Sequence, residues 1–311
     1  MTKSFPNHFR TEELRCEIAF RELGPVWHLC TPEDYPIIYA TEEDFIAGMA
    51  LTGICTSAFP SIRMLTFEIM SNHQHDTLAG PEEDIKGMFE MRREYLSSYL
   101  KGTGRVDVLK KWDYKLISID DLNYLRNTIA YTNRNGYLVH PDTTPYSYRW
   151  GANRFMFNPE LVKFHSLSKE RLTVKEIRRL FHTGMLDHFA GMKKVDGVVS
   201  PTAFCDIESA EKAFRNARHY YFKLSRDIES QKQIASVIGE SLFYTDDELF
   251  VLISGMAYSE YHVDKPSLLP RDAKVNFARK LHSEYNSSNK QIARMLGIDI
   301  SLINQMFSDI R

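Results

Sequence analysis

The sequence predicts an α+β protein: a ferredoxin-like antiparallel sheet with helices on one face, then a helical C-terminal region ending in a helix-turn-helix. Three observations lead there. Short apolar runs alternate with helical patterns in the order strand, helix, strand, strand, helix, strand, which is the split βαβ arrangement. After Trp150 the periodicity becomes helical with polar joins. In the last segment, Ala293, Gly297 and Ile303 fall where a helix-turn-helix needs a small residue, a turn glycine and a buried aliphatic.

The elements follow in order. PVWHLC (residues 25–30) reads as a first strand, and Thr41-Glu42-Glu43-Asp44 opens a helix over 45–51, because a hydroxyl cap and a first-turn carboxylate satisfy free backbone N–H groups. Residues 63–70 make a second strand. After a two-residue turn at Ser71-Asn72, residues 73–79 make a third. Pro81-Glu82-Glu83-Asp84 opens a long helix through Leu100, with Met88, Met91, Tyr95 and Tyr99 at core spacing, and Gly102 and Gly104 end it. Residues 112–119 are strand-like. Asp120-Asp121 then start a helix over 122–134, with Asn135-Gly136 as its stop. Further helices are expected over 172–189, 207–228 and 246–258, and Pro266 and Pro270 bracket a linker. The implied domains are 1–150, 151–265 and 271–311.

A formal net charge of -2 advertises no global basic field. The distribution is uneven: residues 126–183 hold ten Lys/Arg against four Asp/Glu, and residues 1–80 hold five against eleven. A basic face bordering a site is therefore expected, formed by the 126–183 stretch and the helix around 86–105. The four cysteines show no CxxC or zinc-type spacing and read as reduced thiols, mostly buried. No stretch reaches the roughly 20 apolar residues of a membrane span, and no signal-peptide pattern opens the chain. A cytoplasmic, nucleoid-associated location is expected.

IMSNHQHDTLAG (residues 69–80) raises the chemical question. On a strand, the period of two puts His73 and His75 on one face and Gln74 on the other. Two imidazoles on one face can share a divalent cation, although a decorated edge strand explains the same residues. YTNRNGYLV (131–139) supplies a second element, where Tyr131 and Asn135 stand one helical turn apart. Asparagine offers a neutral oxygen that hard cations accept. Tyrosine offers a phenol able to form a covalent intermediate.

The order IMSNHQH, then Tyr-x-x-x-Asn, with WHL before and PYSYRWG after, resembles the REP-associated single-tyrosine (HUH) transposases, over roughly residues 25–150. Their signature is a Met-x-Asn-His-hydrophobic-His strand followed by a helix bearing a tyrosine with Asn or Gln four residues on. The resemblance implies metal-dependent cleavage and rejoining of single-stranded DNA through a 5′-phosphotyrosine. It makes His73, His75 and Asn135 the ligands of Mg²⁺ or Mn²⁺ and Tyr131 the nucleophile. Single-stranded or hairpin DNA is the implied partner, with no membrane and a homodimer as the expected assembly.

Three departures stand out: Gln74 and Asp76 replace apolar residues, and Asn135-Gly136 replaces Asn-Pro. Asp76 is expected either as an extra acidic group near the metal or as the mark of an exposed strand. His28, in VWHLC, is expected to pack or to contact DNA rather than to ligate. In the tail, residues 299–307 form the expected recognition helix, with Lys290, Arg294, Ser301 and Asn304 near DNA. Two rival readings remain: a DNA-binding protein of the same fold that no longer cuts, and a metal phosphohydrolase that does not need Tyr131.

Overall fold

The computed structural model describes residues 7–33, 35–139, 147–226, 233–237, 239, 244 and 246–307. The Pro145-Tyr146 start of PYSYRWG, the end of the expected 207–228 helix and the last four residues lie outside them. The chain forms two compact units, 1–224 and 225–311.

The first unit is built on a four-stranded antiparallel sheet: β1 (Val26–Cys30), β2 (Arg63–Ile69), β3 (Gln74–Ala79) and β4 (Lys115–Ser118), in the order β2-β3-β1-β4. The sequence wraps it in α1 (Asn7–Glu22), α2 (Glu42–Ala58), α3 (Glu82–Gly102) and α4 (Leu122–Val139). Thr41 caps α2 in a capping box with Asp44, as the sequence signal requires. The same Asp44 carboxylate accepts from Tyr99 at 2.7 Å and pairs with Arg105 at 2.5 Å, tying α2 to the end of α3.

Helices cover both faces of the sheet, where the sequence reading had them on one. Leu29, Phe67, Ile69 and Leu78 pack into a core with α2 and α3. Val26, Leu65 and Ala79 belong to a second core with Leu122, Leu125 and Ile129 of α4. The alternation of β residues divides the cores, so each strand feeds both. α4 also runs through Asn135-Gly136 to Val139 rather than stopping there. Tertiary packing overrides the local signal: a Cβ on Gly136 would lie 2.2 Å from the Tyr148 ring and 2.5 Å from Glu68 Oε1.

Residues after Trp150 complete this unit. Ile69 N–H donates to Trp150 O at 2.8 Å and Ala152 N–H to Phe67 O at 3.0 Å, so this segment closes the outer edge of β2. α5 (Pro159–Ser166), α6 (Val174–Phe181), α7 (Ile207–Lys212) and α8 (Ala217–Arg226) follow. The second unit contains α9 (Asp246–Tyr261), α10 (Arg271–Glu284), α11 (Asn289–Leu296) and α12 (Ile300–Met306). Gly297 turns α11 into α12 at φ 59°, a left-handed conformation that favours glycine.

Candidate metal and nucleophile site

Register assembles the site. Cys30 of β1 and Glu68 of β2 both stand directly opposite His75 of β3, and His28 stands opposite Thr77. Directly opposed residues share a face, so Cys30, His75, Glu68, His28 and Thr77 all lie under α4. Nε2 of His28 and Nδ1 of His75 are 3.2 Å apart, with one donating to the other as their tautomers dictate. The His73 ring centroid is 5.0 Å from that of His75 at 89°. α4 brings Tyr131 down so that its ring centroid is 5.6 Å from His75 and 6.4 Å from His28. Asn135 follows one turn later.

Burial sets the electrostatics. His28 and His75 are both 0% exposed, whereas His73 is half-buried. Desolvation pushes His75 down to about 3 and, with the neighbouring His75, pushes His28 well below the usual imidazole range. Both rings are therefore neutral at pH 7, the form that ligates metal. Glu68, also 0% exposed, is pushed up to about 8 by burial, offset in part by the Gly136 N–H. It is a protonated acid at neutral pH.

His73 is oriented from behind. Its Nδ1 is 2.8 Å from Asn72 Oδ1, which holds the ring proton there and places the lone pair on Nε2. Asn72 is anchored in turn, its Nδ2 donating to the backbone carbonyls of Glu33 and Tyr35. Asn135 is 9% exposed, and among the described residues its Nδ2 has no acceptor. An amide with its oxygen and nitrogen exchanged would present Oδ1 at the same point, as a cation requires. The donor chemistry of His73, His75 and Asn135 thus fits a divalent ion.

Two expectations are corrected. Asp76 is neither near the metal face nor exposed: it is 0% exposed on the opposite face, where its Oδ2 pairs with Arg92 Nη1 at 2.5 Å. Gln74 donates to Asp76 Oδ1 at 2.7 Å and to Thr52 at 3.3 Å. The two polar departures thus belong to one buried cluster, in which Asp76 pairs with Arg92 of α3 and Gln74 donates to Asp76. The same pair places α3 on that opposite face, so it does not border the histidines. His28 packs, one of the two roles expected of it: it is wholly buried with its Nε2 against His75 Nδ1.

Sequence reasoning missed four members of this region: Cys30, Glu68, Asn72 and Arg92. His28, Cys30 and His75 place one ligand atom each within 4.8 Å of one another, a group that could hold a metal ion. No spacing motif announces it, because strand pairing joins Cys30 to His75. Asn72 was visible only as a letter of the motif, its anchoring role depending on the distant 33–35 loop.

The tail residues lie in the second unit. Lys290 is exposed, whereas Arg294 pairs with Asp246 at 2.8 Å. Ser301 donates to the Asp299 cap of α12, and Asn304 Oδ1 accepts from Asn289 at 3.0 Å. No family model, curated protein or solved structure matches this chain.

Proposed function

We propose that the protein cleaves and rejoins single-stranded DNA through a covalent bond to Tyr131, as the HUH transposases it resembles do. The observation that carries this reading is the placement of Tyr131 by α4 against His75, with Asn135 one turn away and His73 just before β3 with its ring against His75. The strand order β2-β3-β1-β4 and the crossover helices α2 and α3 on one face support a ferredoxin-like sheet. His73, His75 and Asn135 would hold Mg²⁺ or Mn²⁺, which supplies polarisation of the scissile phosphate.

The chain's own groups do the rest. A phenol is protonated at neutral pH, so it must lose its proton as its oxygen attacks phosphorus in line. A Tyr131 O–P bond forms and the P–O3′ bond breaks, the departing 3′ oxygen taking up a proton. A 5′-phosphotyrosine remains, and a 3′-hydroxyl can reverse the step on another end. The helical mount of Tyr131 supplies orientation, which is worth a large share of such a barrier.

The tail would act as a helix-turn-helix reader. Exposed Lys290 would meet phosphate, Ser301 and Asn304 the groove, and Arg294 would exchange Asp246 for DNA. A homodimer in the cytoplasm, on the nucleoid, is the matching assembly and location.

A second reading, a non-cutting DNA binder of the same fold, is favoured by one observation: Tyr131 is 1% exposed and His75 is 0% exposed, so a strand reaches them only if the cover opens. One experiment separates the two. Labelled hairpin DNA with Mn²⁺ should give a denaturation-resistant adduct with the unmutated protein and none with Tyr131→Phe, while His75→Ala should be slowed and partly rescued by excess Mn²⁺. DNA binding without any adduct would establish the binder. Cleavage that survives Tyr131→Phe would establish a hydrolase.

A further inference from the structure

We propose that His28, Cys30 and His75 form a buried site for a thiophilic divalent ion of the zinc class, distinct from the oxygen-seeking ion assigned to His73 and Asn135. The inference shares His75 with the proposed nuclease site but does not need its chemistry.

The donor set argues first. Two imidazoles and a thiol select zinc-like ions, whereas Mg²⁺ and Mn²⁺ prefer oxygen. Geometry argues second. Zinc–nitrogen bonds of roughly 2.0–2.1 Å separate two nitrogens of a tetrahedral shell by roughly 3.3 Å. His28 Nε2 and His75 Nδ1 already stand 3.2 Å apart, and Cys30 Sγ lies within 4.8 Å of one ring nitrogen of each histidine. Neighbouring strands fix all three Cα positions, so the shell forms by side-chain rotation alone. Burial argues third: all three residues are at most 2% exposed, so bulk water does not compete for the ion from their side.

Occupancy has a consequence for His75. A neutral imidazole has one lone pair. When His28 Nε2 and His75 Nδ1 both turn lone pairs to the ion, their protons sit on His28 Nδ1 and His75 Nε2, and the Cys30 thiol releases its proton to water. His75 Nε2 is then a donor and cannot ligate an ion beside His73. The two sites exclude each other, so a thiophilic ion would switch the outer site off.

The probe is cobalt. The full chain produced in zinc-depleted, cobalt-supplemented medium should show thiolate-to-cobalt charge-transfer absorption. The band should persist in His73→Ala and vanish in Cys30→Ser, and His28→Gln, which keeps the thiol, should weaken it. With cobalt and Mn²⁺ both in excess, one tightly held ion per chain is expected. A chain that retains no cobalt, cobalt bound without the thiolate band, a band that survives Cys30→Ser or is lost in His73→Ala, or two ions held at once would each overturn the proposal. If the band appears but the metal-free protein takes up no Mn²⁺, the outer nuclease site fails and this one stands.

Discussion

The two faces of the central sheet make opposite use of polar residues. Beneath α2 and α3, Asp76, Gln74 and Arg92 are buried together: Asp76 and Arg92 neutralise each other and Gln74 donates to Asp76. Beneath α4, His28, His75, Glu68 and Thr77 are equally buried, but among the described residues no ion pair joins them. The same strand, β3, supplies both sets from alternate residues. Burial of polar groups therefore does not by itself mark a site. What marks it is whether the buried groups are opposite charges that neutralise one another, as Asp76 and Arg92 are, or acid–base groups that burial keeps neutral, as it does His28, His75 and Glu68.

The largest effect should come from breaking the paired face. Asp76→Ala leaves the Arg92 guanidinium, 1% exposed, without its counter-charge, and about 3–5 kcal/mol of stability should be lost. The urea midpoint of unfolding reports it. Arg92 Nε and Nη2 and Gln74 Oε1 have no partners among the described residues, so the pair is costly even when intact. Replacing both charges, in Asp76→Leu with Arg92→Met, should consequently recover most of the loss. A single substitution costing under about 1 kcal/mol would show that Arg92 is solvated and the contrast between faces false.

Much of the α4 face was legible and little of the face beneath α2 and α3 was. Alternation alone separates His73 and His75 from Gln74, because side chains in a strand can only point two ways. The helical spacing of Tyr131 and Asn135 was equally local. Arg92 was not, since its partner lies on β3 and only the packing of α3 on the sheet brings them together. Cys30 escaped for the same reason, its place beside His75 being a matter of register. α4 overran its Asn-Gly stop because Gly136 is needed where Glu68 and Tyr148 crowd the helix, a demand made by residues far away in sequence. Short-range pattern places residues on faces; long-range packing decides which faces meet.

An intermediate effect tests the α4 face through Glu68. Its folded carboxyl titrates at about 8, above an ordinary value of 4.5, so the folded state binds the extra proton between those limits. Stability contributed by the neutral form is complete below pH 4.5 and is lost as pH rises, by about 1.4 kcal/mol per pH unit, until about pH 8. In metal-free protein, Glu68→Gln should remove this slope, so the variant gains on the unmutated chain steadily between pH 5 and 8. Urea unfolding at three pH values measures it. Parallel curves for the two proteins would mean that the carboxylate is ionised and paired in the fold.

The smallest effect is the most discriminating for the comparison. Thr77 Oγ1 meets Thr132 Oγ1 at 3.5 Å, the limit of a useful hydrogen bond, and joins β3 to α4 directly over the site. Thr77→Val keeps the β-branched shape that suits a strand and removes one oxygen. A bond of ordinary length in a buried network would cost about 1–3 kcal/mol to break, because the partner is left unsatisfied. At this length the loss should stay under about 1 kcal/mol, far below that of Asp76→Ala on the other face of the same strand. If it instead matched Asp76→Ala, the α4 face would be a tightly bonded network like its counterpart, and the absence of an ion pair among His28, His75 and Glu68 would no longer distinguish it.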